Sequence, residues 1–286
     1  MPAQLLKGKP IADAIKDGLA KDIETLKARG AELTLAAIQV GEDEASATYA
    51  RSQQKQAEAL GIGYQLHQLP GDASQDALHA FINDLNENGS VTGIILQLPL
   101  PPHLDVGAAR SMLPMTKDVD CLSPASMGLV AIGEGRLLPC TPMAAMELIK
   151  STGVNLRGCE VTLVGYGAVG RPLALLLLPD FPTLTLCDLG TSEAGRLAEH
   201  VGNADLLITA VGAKPGLIKG AWIKEGAIVI DISIIPVEGG LAGDVEFDAA
   251  VERASQITPV PGGVGPLTVA MLLRNTVEAA KWQLES

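Results

Sequence analysis

The chain has 286 residues, 47% apolar and only 3% aromatic, enough for one large domain or two modest ones with cores of Leu, Val, Ile and Ala. Its net charge of −12 offers no basic face to a nucleic acid. The N-terminus turns polar too soon for a signal peptide, and LALLLLPDF is too short to span a bilayer, so a soluble cytoplasmic protein with no membrane partner is expected.

Ile11, Ala14, Ile15, Leu19, Ile23 and Leu26 recur at helical spacing over 10–29, and Gly30 is a natural stop. LTLAAIQVG (33–41) reads as a buried strand, 44–60 as a polar helix closed by Gly61, and GYQLHQL (63–69) as a second strand. A helix follows over 74–88 with Ser74 as its cap, and VTGIILQLPLP (91–101) is a third strand. Strand, helix, strand, helix, strand implies a parallel sheet covered by helices. The stretch 102–142, rich in Pro, Gly and Met without clear period, suits a crossing between domains. TPMAAMELIKSTGV (141–154) reads as a helix, and CEVTLVGYGAVGRP (159–172) opens a second strand-turn-helix series. LTLCD (184–188), ADLLITAVG (204–212) and GAIVIDISI (226–234) are further buried strands, and 266–285 is a strongly periodic last helix.

The four cysteines, Cys121, Cys140, Cys159 and Cys187, form no CxxC pair. Reduced thiols are expected, with neither a disulfide framework nor a metal.

Gly165, Gly167 and Gly170 form GxGxxG directly after the apolar VTLV and before an apolar helix. In a dinucleotide site the first glycine permits the tight turn, the second lets backbone approach the pyrophosphate, and the third lets helix pack on strand. The helix N-terminus then stabilises phosphate charge. Asp188 ends the next strand, 18 residues beyond Gly170, near the spacing expected of a ribose-binding acid. Its carboxylate would accept from the ribose diol and repel a 2′-phosphate, which points to NAD. An aspartate at a strand end is also an ordinary turn residue.

Several segments then converge. VGEDEASATY (40–49), ILQLPLP (95–101), KDVD (117–120), LPCTP (138–142), VGRP (169–172), ADLLITAVG (204–212), KEGAIVID (224–231), GDVEF (243–247) and TPVPGGVGPLTVAMLL (258–273) occur in one order and spacing. In these the chain resembles the methylenetetrahydrofolate dehydrogenase/cyclohydrolase family over essentially its whole length. The resemblance implies two α/β domains: a folate-binding domain with a parallel sheet over 1–145, completed by helix 266–286, and a Rossmann-type domain over 146–265. The chain would cross from one to the other twice, with the substrate cleft lying between them. The implied substrate contacts are Tyr49, Gln97, Leu98, Asp120, Pro261, Gly262 and Gly263, with Tyr49, Gln53, Gln97 and Asp120 at the chemistry. The implied cofactor contacts are Thr141, Gly165, Tyr166, Gly167, Ala168, Val169, Gly170, Asp188, Val211, Gly212 and Ile234. A homodimer is implied as well.

The residue types suit those roles. A reduced pterin presents an edge of amide and amine donors, which a carboxylate such as Asp120 can pair. Gln97 falls near the C-terminal end of a buried strand, where α/β sheets present ligand groups. Each has a plainer alternative: a solvated loop acid for Asp120, an amide satisfied by backbone for Gln97, core packing for Tyr49, and a rigid turn for PGGVGP.

Three departures from the family pattern matter. The bifunctional enzymes carry Y-V-x-x-K, but here Tyr49-Ala50-Arg51-Ser52-Gln53 places glutamine where the lysine stands. Lys55 is no substitute: Gln53 lies about 40° from Tyr49 around a helix, Lys55 about 120°. That lysine is associated with hydrolysis of the methenyl product, and glutamine cannot shuttle protons. Second, GYGAVGRP is one residue shorter than the family's G-R-S-x-x-V-G-x-P, with Tyr166 where its arginine would fall. This favours NAD, while Arg171 keeps NADP open. Third, DISII (231–235) replaces D-V-G-I-N, and Cys121 replaces the glycine after KDVD.

The expectation is an NAD-dependent methylenetetrahydrofolate dehydrogenase with weak or absent cyclohydrolase activity. A bifunctional NADP-dependent enzyme, a non-catalytic folate or NAD sensor, and a dehydrogenase of another pterin carrier remain open beside it.

Overall fold

The computed structural model describes residues 2–42 and 44–285. In chain order, β1 (Gln4–Leu5) and α1 (Gly8–Ala28) lead to β2 (Thr34–Val40), α2 (Glu44–Ala59), β3 (Gly63–Leu69), α3 (Gln75–Glu87) and β4 (Gly93–Leu96). Next come α4 (Val106–Ser111), α5 (Pro124–Ala131), α6 (Cys140–Ser151), β5 (Glu160–Val164), α7 (Gly170–Leu177) and β6 (Thr183–Cys187). The rest are α8 (Leu189–Glu193), α9 (Leu197–Asn203), β7 (Leu206–Thr209), β8 (Ile228–Asp231), β9 (Ile235–Val237), β10 (Gly240–Ala242), α10 (Phe247–Val251), β11 (Gln256–Ile257) and α11 (Gly265–Glu285).

The chain divides into two compact α/β units, Asp13–Cys140 with Val269–Ser286, and Met1–Ala12 with Thr141–Thr268. It therefore passes from unit to unit three times, where two crossings were expected. Residues 1–12 group with the second unit because β1 pairs in parallel with β11, Gln4 opposite Gln256.

The first unit is built on a parallel sheet in the order β3-β2-β4. Ile38 of β2, Leu78 and Ile82 of α3, and Ile94 of β4 share one core and are fully buried. Each such side chain contributes about 1.5–3 kcal/mol by leaving water. Ser74 caps α3, its hydroxyl accepting from the Ala77 N–H. The stretch 102–142, expected to be an inter-domain crossing, instead lies almost wholly in this unit and carries α4 and α5. Helices of six and eight residues are too short to show a period. Their caps were the legible signal: Asp105 accepts from Ala108, and Ser123, followed by Pro124, accepts from Ser126.

The second unit holds a six-stranded parallel sheet in the order β1-β11-β8-β7-β5-β6. Val164, Leu207, Val229 and Ile257 from four of its strands share a core with Leu197 and Val201 of α9. Burial on both faces explains why these strands read as unbroken apolar runs. The strands end earlier than the runs: β7 stops at Thr209 and β8 at Asp231. Ala210–Gly212 and Ile232–Ile234 thus lie in loops at the carboxyl edge, where α/β sheets present ligand groups. The antiparallel β9–β10 hairpin was not evident from the sequence. Among the described residues no helix is long and apolar enough to cross a membrane.

Candidate active-site residues

In the first unit, Tyr49 and Gln53 stand one turn apart on α2, while Lys55 is exposed. Gln97 follows the end of β4, its N–H held by the Ile38 carbonyl at 2.9 Å. Gln53 and Gln97 are both buried, at 2% and 6% exposure, and a buried carboxamide must find partners. They find each other: Gln97 Nε2 donates to Gln53 Oε1 at 2.7 Å, and the Tyr64 hydroxyl donates to the same oxygen at 2.9 Å. Tyr49 keeps 40% of its surface exposed, yet its phenol is held well above the usual tyrosine range. Removal from water is the main cause and the Asp120 charge the next, with a hydrogen bond from Gln53 opposing them. The exposed surface therefore belongs to the ring, and the hydroxyl sits among protein groups. The first ten-residue family segment includes Asp43, which lies outside the described residues.

KDVD resolves into separate tasks. Lys117 is buried and donates to the carbonyls of Leu85, Asn86 and Asn88, closing the end of α3. Asp118, fully buried, accepts from the N–H groups of Leu122 and Ser123. Ile94 of β4 bridges to Asp118, which extends the sheet edge to this segment. Asp120 is the half-buried acid that remains. Loss of water raises its carboxyl to about 6, against a lowering hydrogen bond from the Cys140 thiol, while the Asp118 charge adds to the rise. An acid so placed still ionises at neutral pH and titrates close to it.

Cys121, next in the chain, has φ 54, in the left-handed region where glycine is the unstrained choice. That accounts for the family's glycine. Here the thiol is buried and donates to the Leu137 carbonyl at 3.3 Å.

In the second unit the glycine turn meets its physical demands. Gly165 has φ 95, and a Cβ there would come within 2.5 Å of the Ala210 carbonyl oxygen. A Cβ on Gly170 would collide with the Gly165 carbonyl, so the start of α7 packs against the end of β5. Gly167, by contrast, faces open space, which suits backbone approach to a pyrophosphate. Ala168 and Val169 complete the turn, with Val169 at the N-cap of α7 offering no side-chain bond, so that helix terminus keeps backbone donors for an anion. The residues present therefore fit a dinucleotide.

Asp188 is exposed and engaged: Oδ2 accepts from Tyr166 N–H and Oδ1 from Leu189 N–H, both at 2.7 Å. These bonds, the Tyr166 one foremost, hold the carboxyl below its ordinary range. Asp188 caps α8 as a turn residue would, and each oxygen retains a lone pair for a ribose hydroxyl. Arg171 folds back on the turn, its Nε donating to the Tyr166 carbonyl and its guanidinium lying 5.4 Å over the Tyr166 ring.

Val211 and Gly212 are both fixed by Asp244, whose oxygens accept their N–H groups at 2.8 and 2.9 Å. Ser233 Oγ donates to the same carboxylate. This explains the serine in DISII: where the family has glycine, this chain adds a donor to a fully buried acid. Ile234 is 53% exposed. Asp231 accepts from Thr209 and from the Val245 N–H, and burial raises its carboxyl to about 6. Thr141 opens the unit on the first turn of α6, half-buried. Gly262 has φ 109, its carbonyl accepts from Gly8 N–H, and Gly263 N–H donates to Pro259, so Pro261–Gly263 is a tied turn.

Tyr64, Cys140 and Asp244 were not singled out on sequence. Cys140 lies in LPCTP and Asp244 in GDVEF, both already recognised as segments. Tyr64 carried no local signal, because only the register of β3 on β2 brings it toward Gln53.

A parallel sheet with this glycine turn at its carboxyl edge defines a Rossmann-type dinucleotide-binding protein. A model of the tetrahydrofolate dehydrogenase/cyclohydrolase catalytic domain matches residues 6–120, and that of the family's NAD(P)-binding domain matches 139–284. The bifunctional protein FolD of Moorella thermoacetica is 45% identical over 98% of this chain and 100% of its own. The crystal structure of the bifunctional FolD enzyme of Campylobacter jejuni is 40% identical, with a TM-score of 0.93 over 98% of this chain and 99% of that one. That of the Trypanosoma brucei enzyme, complexed with NADP and an inhibitor, is 39% identical, with a TM-score of 0.94 over the whole of both chains. The chain belongs to the tetrahydrofolate dehydrogenase/cyclohydrolase family.

Proposed function

We propose that this chain oxidises 5,10-methylenetetrahydrofolate to 5,10-methenyltetrahydrofolate by hydride transfer to a nicotinamide dinucleotide, NAD before NADP, and hydrolyses the methenyl product slowly. The observation that carries this reading is the neutral node at Gln53, bonded to Tyr64 and Gln97 where the family places a lysine.

The dinucleotide supplies the hydride acceptor. The protein's own groups do the rest. Tyr49 offers its exposed ring for the folate to pack on, and Asp120 pairs the donor edge of the pterin. As hydride leaves, the folate becomes a delocalised cation. A neutral Gln53 raises no opposing charge, and an ionised Asp120 favours the cation. Hydrolysis asks for more: water must reach the amidinium-like carbon and protons must move as the ring opens. Gln53 has no titrating group, and the Tyr49 phenol holds its proton throughout the neutral range. The NAD preference rests on the ionised, exposed Asp188 and on Tyr166 standing where an arginine would be. Four buried free cysteines suit a reducing compartment such as the cytoplasm, and the family resemblance brings a homodimer.

A second reading, a bifunctional NADP-dependent enzyme, draws support from the relatives, two of them named bifunctional and a third a dehydrogenase-cyclohydrolase solved with NADP. On that reading Asp120, titrating at about 6 beside Tyr49, moves the protons, and Arg171 leaves Tyr166 for the 2′-phosphate. Purified protein offered methylenetetrahydrofolate with NAD or NADP separates them. The proposal expects faster reduction of NAD together with accumulating methenyl product, and faster NADP reduction without accumulation supports the second reading.

A further inference from the structure

Resting on the dehydrogenase reading, we infer that Tyr64 is a positioning residue for the folate: its hydroxyl holds the coupled Gln53 and Gln97 carboxamides in place. Neither end of a carboxamide is rigidly committed until its neighbours choose for it. Gln53 Oε1 receives the Tyr64 hydroxyl at 2.9 Å and Gln97 Nε2 at 2.7 Å, which fills both of its lone pairs. Turning Gln53 over alone would set its NH2 against the Gln97 NH2, donor on donor, so the two carboxamides are coupled, and Tyr64 bonds to the coupled pair. The same Gln53 side chain also lies beside the Tyr49 hydroxyl.

Gln97 shares this network. Its NH2 donates to Gln53 Oε1, and its carboxamide also lies beside the Tyr64 hydroxyl. Burial raises the Tyr64 phenol to about 12, so it keeps its proton and donates throughout the neutral range. Tyr64 reaches this place from β3, whose Leu35↔Tyr64 register sets it beside the buried β2, with Gln53 eleven residues earlier on α2.

Tyr64→Phe keeps the ring and removes only the hydroxyl. Loss of one hydrogen bond that orients reacting groups should lower kcat for folate-dependent nicotinamide reduction about tenfold, with the KM for the dinucleotide unchanged. Because Tyr64 acts through Gln53, adding Tyr64→Phe to Gln53→Ala should change kcat less than about twofold. Nitrogen-15 spectra of glutamine-labelled protein give a readout that does not depend on turnover: the Gln53 and Gln97 side-chain signals should shift in Tyr64→Phe. An active parent whose Tyr64→Phe variant keeps kcat and both signals, with only a lower Tm, would overturn the assignment to Tyr64 alone. So would equal, additive losses in the two backgrounds. A parent that reduces neither dinucleotide with folate overturns the dehydrogenase reading, and with it the use made of Tyr64.

Discussion

Gln97 Nε2 donates to Gln53 Oε1 at 2.7 Å, so the residue that replaces the family's lysine is bonded to the strand-end amide rather than left to solvent. An ammonium cannot accept a hydrogen bond. A lysine at 53 would instead donate, so Gln97 would have to turn its Oε1 toward it and the Tyr64 oxygen would have to accept. With glutamine at 53 the site is organised around a neutral contact.

The acid Asp120 sets a pH limb. Its carboxyl titrates at about 6 and must be ionised to accept from the pterin donors. The kcat/KM for methylenetetrahydrofolate should accordingly rise with pH through about 6 and level off above it. Asp120→Asn should give a low, flat profile over the same range. A parent profile flat from pH 5 to about 7 contradicts this, since a carboxylate with an ordinary pKa of about 4 would already be ionised.

Asp188→Ser tests cofactor choice with little disturbance of the fold, because serine also caps helices and can keep the start of α8. The charge that would repel a 2′-phosphate is removed, along with the contact to Tyr166 N–H. Preference for NAD over NADP should narrow by about 1–3 kcal/mol, read as the ratio of kcat/KM values. An unmodified protein that uses both cofactors equally rules the assignment out.

Cys121 stands where backbone and side chain disagree. Cys121→Gly relieves a left-handed conformation worth about 1–2 kcal/mol but gives up the buried thiol and its bond to Leu137. Cys121→Ala gives up the thiol and keeps the strain. Urea unfolding should rank the parent and Cys121→Gly within about 1 kcal/mol and place Cys121→Ala below both. Alanine more stable than glycine would show that φ 54 is not where the strain lies.

The sequence was most informative where a residue type answers a local demand. Gly165 and Gly170 mark a turn that no side chain fits, and Ser74 marks a helix start. Apolar runs located β2, β5, β7 and β8, though the runs outlast the strands because loop residues such as Val211 share their composition. What stayed hidden depends on register and long-range contact. Tyr64 meets Gln53 only once β3 lies beside β2, and β1 joins the Rossmann sheet through a two-residue pairing with β11. KDVD looked like one motif, yet only packing separates the structural Lys117 and Asp118 from Asp120.

The central claim is that a neutral Gln53 node permits hydride transfer and starves hydrolysis of its proton shuttle. Decay of methenyltetrahydrofolate, followed by absorbance with and without the protein, tests it most directly. The parent should clear it at the buffer's own rate, and Gln53→Lys should raise clearance while lowering dehydrogenation. General acid–base groups contribute about 10²–10⁴-fold to such steps, so the difference is easily read. Clearance by the parent well above the protein-free control would contradict the account and make Asp120 the first group to examine.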